Sequence, residues 1–367
     1  MTRVDLEGAK ILVIAYGHVA DTMAAVPALR SMRAAYPSAS IDVLALESAR
    51  PILGPCPYID RLITWRDFQH KGERTARLEK LSVIAALALK LKRSGYDATL
   101  VFHRSSGAMR KLAELIGSAV SAGGQGGIES SRDENRRVLE AIGVVEDGGG
   151  LELWTSADDA AWAASFLSRH DGPVVGMHPG SDWSCQQWLP ERFAEVGRSL
   201  QLTAGATIAI TGSSGEVELE SEIANGLAES PLRAAGRTTF GQFVEVIRRL
   251  DLLICVNSAA AAIARAVGTP AIVLMGLEDA RYTGIEANRQ LTVIQPKTAD
   301  HGGGWCEFGR WGVLSGCDSP MCRGLGGLAD VAPEVVTAEA LERLARGGTV
   351  AQRTGTPVWS PGHLPIG

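Results

Sequence analysis

The sequence predicts an α/β protein made of two Rossmann-like halves, each a parallel sheet covered by helices. Three observations predict it. Short apolar runs rich in β-branched residues alternate with helical patterns along most of the chain, as strands buried on both faces require. The alternation breaks down in a Gly-rich stretch and then restarts at Pro173. The chain is 367 residues long, comfortable for two domains of roughly 100–150 residues each.

The first strand is expected at Lys10–Ala15, followed by a loop with Gly17 and an Ala-rich helix that starts near Asp21. A second strand is read at Ala39–Leu46, a short helix at Arg50–Leu53 and a third strand at Ile59–Trp65. Leu78–Ser94 reads as a long helix that stops at Gly95, and Ala98–Phe102 as another strand. The segment Ala119–Ile128 is Gly-rich and weakly patterned. Glu134–Ile142 is expected to be helical, Gly148–Gly150 a flexible joint, and Asp158–Ser168 a helix with Trp162 and Phe166 on one face. The second half is read as strands at Pro173–Met177, Ala206–Thr211, Leu252–Val256 and Ala271–Met275. Helices are expected at Pro190–Leu202, from Glu216 through Leu227, at Phe240–Arg249 and at Ala259–Val267. The expected division is a first domain over 1–153, a linker helix over 154–171, a second domain over 172–345 and a tail over 346–367. Two such halves on a mobile joint imply a cleft between facing strand ends.

Composition narrows the partners. With 46% hydrophobic and 21% charged residues the chain is an ordinary globular one. No apolar run approaches the ~20 residues that span a bilayer. Asp5, Glu7 and Lys10 lead straight into the first strand, with no signal-peptide core before it, so a cytoplasmic protein with reduced thiols is expected. The net charge of −5 conceals twelve Lys/Arg against four Asp/Glu between Arg61 and Lys111. That region suits an anionic acceptor or a peripheral contact with an anionic membrane surface; alternatively it is the solvated face of the helix around Leu81–Leu91. No nucleic-acid partner is expected.

Open α/β sheets bind ligands beyond the carboxyl ends of their strands, and the candidate residues lie in those loops. Asp21 is read either as a catalytic carboxylate or as a cap of the helix that follows. His103–Ser106 follows a strand, so Arg104 either holds an anionic substrate group or pairs with a carboxylate. The turn Asn257-Ser258-Ala259-Ala260 opens a helix, where free N–H groups and small side chains suit a diphosphate; its plainer role is an N-cap and close packing. Gly212–Gly215 allows a second close approach, with Glu216 either on ribose hydroxyls or simply in a helix's first turn. A single Gly17 replaces G-x-G-x-x-G, and G-x-x-x-x-G-K-[ST] and G-x-S-x-G are both missing. Those absences argue against nicotinamide dehydrogenases, P-loop NTPases and α/β-hydrolases. Cys306, Cys317 and Cys322 with His301 lack any C-x-x-C pair, so a reduced structural role is favoured over zinc. Cys56 and Cys255 read as core residues, and Cys185 as exposed in a loop.

These residues resemble glycosyltransferase family 9, typified by ADP-heptose:lipopolysaccharide heptosyltransferases. The resemblance runs from Ile11 to about Leu341. It rests on Asp21 with Val26-Pro27-Ala28-Leu29-Arg30, Ile41–Leu44, Met177–Gly180 with Trp188–Phe193, Thr211-Gly212 with Glu216, and Ala266–Pro270. It implies a GT-B fold and inverting, metal-independent transfer of a sugar, a heptose first of all, from a nucleotide-diphosphate donor such as ADP-heptose, with no cofactor. Asp21 is then the general base. His178, Gly180, Ser181, Gln186, Thr211, Gly212, Glu216, Asn257, Ser258, Ala259 and Ala260 face the donor; Gly17, His18, Arg104 and Ser105 face the acceptor, a glycolipid or a small natural product. The chain departs from the family where an acidic residue becomes Asn257, a histidine becomes Ala262, a basic residue becomes Gln186 or Gln187, and Gly-Asp becomes Ala20-Asp21. The alternatives are a non-catalytic sugar-nucleotide-binding protein and a sugar-nucleotide epimerase.

Overall fold

The computed structural model describes residues 4–65, 84–103, 107–118, 120–123, 130–168, 172–181, 186–276, 287–296 and 328–346. The chain divides into two compact units, one over Met1–Glu152 and one that begins at Leu153.

The first unit runs β1 (Lys10–Ala15), α1 (Val19–Ala35), β2 (Ser40–Leu46), α2 (Arg50–Leu53), β3 (Arg61–Trp65), α3 (residues 84–93), β4 (Ala98–Val101), α4 (Gly107–Ile116), β5 (Val120–Gly123) and α5 (Ser131–Ala141). Its sheet has the order β3-β2-β1-β4-β5, and every pairing is parallel. β1 is buried at all positions after Lys10, because a central parallel strand is covered on both faces. Leu12 and Ile14 of β1 pack with Ile84, Ala88 and Leu91 of α3 and with Met109, Leu112 and Ile116 of α4. Burying each such aliphatic side chain is worth about 1.5–3 kcal/mol. Lys90, Lys92 and Arg93 on the opposite side of α3 are exposed, so in this part of the basic region the solvated-face reading holds.

The structure modifies several expectations here. The sequence pattern marks neither α4 nor β5, and β5 falls within the weakly patterned Gly-rich segment. α5 begins at Ser131 because Ser130 caps it, its Oγ accepting from the Asp133 N–H at 3.3 Å. The Gly148–Gly150 joint is tied down: Arg132 Nη2 donates to Gly149 O at 2.7 Å and Arg30 Nη1 to Gly150 O at 3.2 Å. Arg30 also pairs with Asp147 at 2.5 Å and Glu152 at 2.8 Å, and holds the Asp147 carboxyl down at about 2.

The second unit runs α6 (Ala157–Phe166), β6 (Val174–His178), α7 (Pro190–Ala204), β7 (Thr207–Ile210), α8 (Val217–Asn225), β8 (Leu232–Arg233), α9 (Phe240–Arg249), β9 (Leu252–Val256), α10 (Ala259–Val267), β10 (Ala271–Leu274), β11 (Leu291–Ile294) and α11 (Pro333–Arg346). The sheet order is β11-β10-β9-β6-β7-β8, again wholly parallel. α6 stacks Trp162 on Phe166 with ring centroids 5.1 Å apart. It packs on α9, where Thr155 Oγ1 donates to Glu245 Oε1 at 2.6 Å and Thr239 Oγ1 to Asp159 Oδ1 at 3.1 Å. α7 stops at Gly205, whose φ of +60° suits a residue without a side chain. The buried Trp188 indole donates to Val331 O at 3.2 Å and Arg192 donates to the same oxygen at 2.7 Å, which fixes the approach to α11. The short strands β8 and β11 and the helix α11 are additions to the elements read from the sequence.

Candidate functional site

A parallel sheet opens a crevice where the strand order reverses, beyond the carboxyl ends of the two strands concerned. The reversal lies between β1 and β4 in the first unit and between β6 and β9 in the second. The described candidate residues all follow β1, β6, β7 or β9, so topology gathers them at or beside these two places, each within its own unit.

In the first unit, Asp21 occupies the third position of α1 and His18 is the residue before the helix. The His18 N–H donates to Asp21 Oδ2 at 3.0 Å, so the capping role is real. Oδ1 accepts from Ser131 Oγ at the start of α5. A Cβ on Gly17 would lie 2.5 Å from Asp21 Cβ and 2.9 Å from Oδ2; only glycine lets the carboxylate fold back over its own loop. An ionised carboxylate offers about four lone pairs, and these two bonds use two. The remainder are open to a hydroxyl proton. His18 is exposed and Asp21 half-buried.

Two groups that sequence reasoning missed lie close by. His103, at the end of β4, is 2% exposed with φ +63°, a backbone state that costs a non-Gly residue about 1–3 kcal/mol. Its N–H donates to Asn135 Oδ1 at 2.8 Å, and Asn135 Nδ2 donates to Ala24 O at 3.0 Å. Neither ring nitrogen has a partner among the described residues. Burial pushes the imidazole's pKa down, against the opposing pull of the Asp21 charge. Glu134 is fully buried with both carboxylate oxygens unpartnered among the described residues. The available signal was the Ser130-Ser131-Arg132-Asp133 sequence, a Ser-x-x-acid helix start that places a second hydroxyl beside the cap. Arg104 and Ser105 lie outside the described residues.

In the second unit, His178 ends β6 with Nδ1 3.0 Å from Thr211 Oγ1, which in turn donates to Met177 O at 3.3 Å. Nδ1 is thus engaged with the hydroxyl, and Nε2 is the other hydrogen-bonding atom of the ring. Phe243 lies 5.3 Å from the imidazole, centroid to centroid. Burial lowers the His178 pKa, opposed by the nearby Glu216. Glu216 lies over two glycines: a Cβ on Gly180 would sit 1.6 Å from Oε1, and one on Gly212 would sit 2.9 Å from Oε2. The Ser213 N–H donates to Oε2. Ser181 Oγ reaches Gln186 Oε1 at 3.1 Å. Beyond β9, the Asn257 N–H extends the strand by donating to Leu274 O at 3.0 Å. Ser258 precedes α10 in an extended conformation, yet its side chain caps nothing, and its buried Oγ has no partner among the described residues. Ala259 and Ala260 form the first turn; Ala259 is half-buried and Ala260 fully buried.

Cys56 and Cys255 are buried thiols as expected, and burial pushes Cys56 up to about 12. Among the described residues no cluster of His, Cys, Asp and Glu has metal-binding geometry. Cys185, His301, Cys306, Cys317 and Cys322 lie outside the described residues, as does the tail over 347–367. No described helix is long and apolar enough to cross a membrane.

Comparison with known proteins adds to this geometry. Residues 134–301 match the model of Glycosyltransferase family 9 (heptosyltransferase). Lipopolysaccharide heptosyltransferase 3 of Escherichia coli strain K12 is 26% identical over 288 residues, 71% of this chain and 80% of that protein. The family 9 glycosyl transferase from Veillonella parvula DSM 2008 superposes with a TM-score of 0.78 at 19% identity, covering 94% of this chain and 100% of that one. The E. coli ADP-heptose LPS heptosyltransferase II gives 0.65 at 20% identity, with 92% and 99% covered. The fold is GT-B.

Proposed function

We propose that the chain is a heptosyltransferase-like glycosyltransferase of family 9 that moves a heptose from ADP-heptose to a hydroxyl of a lipopolysaccharide-core acceptor, with inversion and without a metal. The observation that carries this reading is the Asp21 carboxylate at the β1–β4 switch point, held by His18 N–H and Ser131 Oγ with lone pairs to spare.

The acceptor oxygen attacks the anomeric carbon as its proton passes to Asp21, and the bond from that carbon to the diphosphate oxygen breaks. Attack from the face opposite the leaving group inverts the centre. Such a base contributes about 10²–10⁴-fold. The leaving diphosphate gathers negative charge at the start of α10, where the helix dipole, backbone N–H groups and the Ser258 hydroxyl, unpartnered among the described residues, stabilise it. Glu216, over Gly180 and Gly212, receives the ribose hydroxyls, and His178 contributes Nε2. ADP-heptose, the donor for which the E. coli heptosyltransferase II is named, is the first to test. We place the enzyme on the cytoplasmic side, in peripheral contact with the membrane that carries its acceptor.

Asn257 and Ala262, standing where the family's acidic residue and histidine are expected, favour one second reading, a protein that binds sugar nucleotides without transferring them. Calorimetry with ADP-heptose and with UDP-, GDP- and dTDP-sugars identifies the donor; mass spectrometry after mixing with lipopolysaccharide-core acceptors detects the glycoside. Asp21→Asn is expected to lose about 10³-fold in turnover with donor affinity unchanged. Full turnover by that variant removes Asp21 from the mechanism. Donor binding with no glycoside from any acceptor supports the binding-only reading.

A further inference from the structure

We propose that Ser131 is the positioning residue of Asp21, fixing the plane of the carboxylate from a helix that begins 110 residues further along the chain. This rests on Asp21 being the base.

Ser131 stands at the first position of α5, but its hydroxyl is not needed by its own helix. Ser130 already caps it, accepting from the Asp133 N–H. Ser131 Oγ is therefore spare and is spent on Asp21 Oδ1, while the His18 N–H takes Oδ2. Two donors on two oxygens set the orientation of a planar group. The missing side chain at Gly17 leaves the space it occupies. The start of α5 is itself anchored. Asn135, fully buried one turn further on, bridges the His103 N–H and Ala24 O, joining α5 to the end of β4 and to α1. A carboxylate held this way meets the acceptor hydroxyl without reorganising, which is where positioned groups gain their rate.

The charged neighbours leave that work to Ser131. His18, on the same helix, contributes its backbone N–H. His103, beyond β4, is buried near enough to feel the Asp21 charge, but neither of its ring nitrogens bonds to a described residue. On α5, Arg132 pairs with Glu146 at 3.2 Å, Asp133 with Arg136 at 3.0 Å, and Glu134 is buried. No cation among these residues is paired with Asp21, and the Ser131 hydroxyl is the side chain among them that donates to it.

The test measures kcat and KM of the intact protein with ADP-heptose and a lipopolysaccharide-core acceptor. In Ser131→Ala, kcat should fall about tenfold with donor KM unchanged. Ser131→Thr, which keeps the hydroxyl, restores it. Wild-type kcat in Ser131→Ala overturns the proposal, and so does Ser131→Thr behaving like Ser131→Ala. Full turnover by Asp21→Asn overturns the base assignment itself; a dead Asp21→Asn beside an unaffected Ser131→Ala overturns the role of Ser131 alone.

Discussion

The two units repeat one architecture and use it in opposite ways. Both place their candidate groups where a parallel sheet reverses its strand order. In the first, a carboxylate is clamped by a local donor, the His18 N–H, and a distant one, Ser131, which lies 110 residues from Asp21. In the second, Glu216 rests over two glycines with a local N–H, and the Ser258 hydroxyl is left without a protein partner among the described residues. The contrast fits the proposed function. There, a base gains from being immobilised before substrate arrives, whereas a site for a departing anion gains from donors held unspent.

The comparison breaks most sharply at glycines. In Gly17→Ala a new methyl presses on Asp21 Cβ, which has nowhere flexible to go. Turnover is expected to fall about a hundredfold with donor affinity unchanged, read from kcat beside calorimetry. Gly180→Ala pushes only the end of the Glu216 side chain. Donor affinity is expected to fall about tenfold, roughly one lost charged hydrogen bond, with melting temperature nearly constant. If Gly180→Ala leaves the donor dissociation constant alone, Glu216 is not a ribose contact.

The smallest effect lies away from both sites. Arg30 beside Asp147 holds that carboxyl at about 2, below the ~3.9 of an unfolded chain. The stabilisation is therefore present above pH 4 and lost as pH falls through 2. Asp147 is 41% exposed, and solvent screening reduces the contribution to about 1 kcal/mol. Urea unfolding of wild type and Arg30→Ala at pH 6 and pH 2.5 should show the gap between them narrowing in acid.

What the sequence showed follows from how local each feature is. β1, α2, α9, β9 and α10 were readable because a continuous apolar run or a strong helical period marks a buried element. β5, β8 and β11 were not. Each is two to four residues long at or near a sheet edge, and β5 ends in Gly123 with little side-chain pattern to read. Asp21 and Glu216 were visible because each lies a few residues past a strand that announces itself. Ser131 and His103 were not, since one acts across 110 residues and the other depends on a left-handed backbone that no residue type near it advertises.

The carboxylate at position 21 closes the first turn of α1 and, in the proposed mechanism, takes a proton. A variant library sorted only for abundance would keep Asn there beside Asp, since an amide oxygen can accept the same N–H. Sorted for product, that library would keep Asp alone. The gap between those two survivals, at a single codon, separates what this residue does for folding from what it does for chemistry.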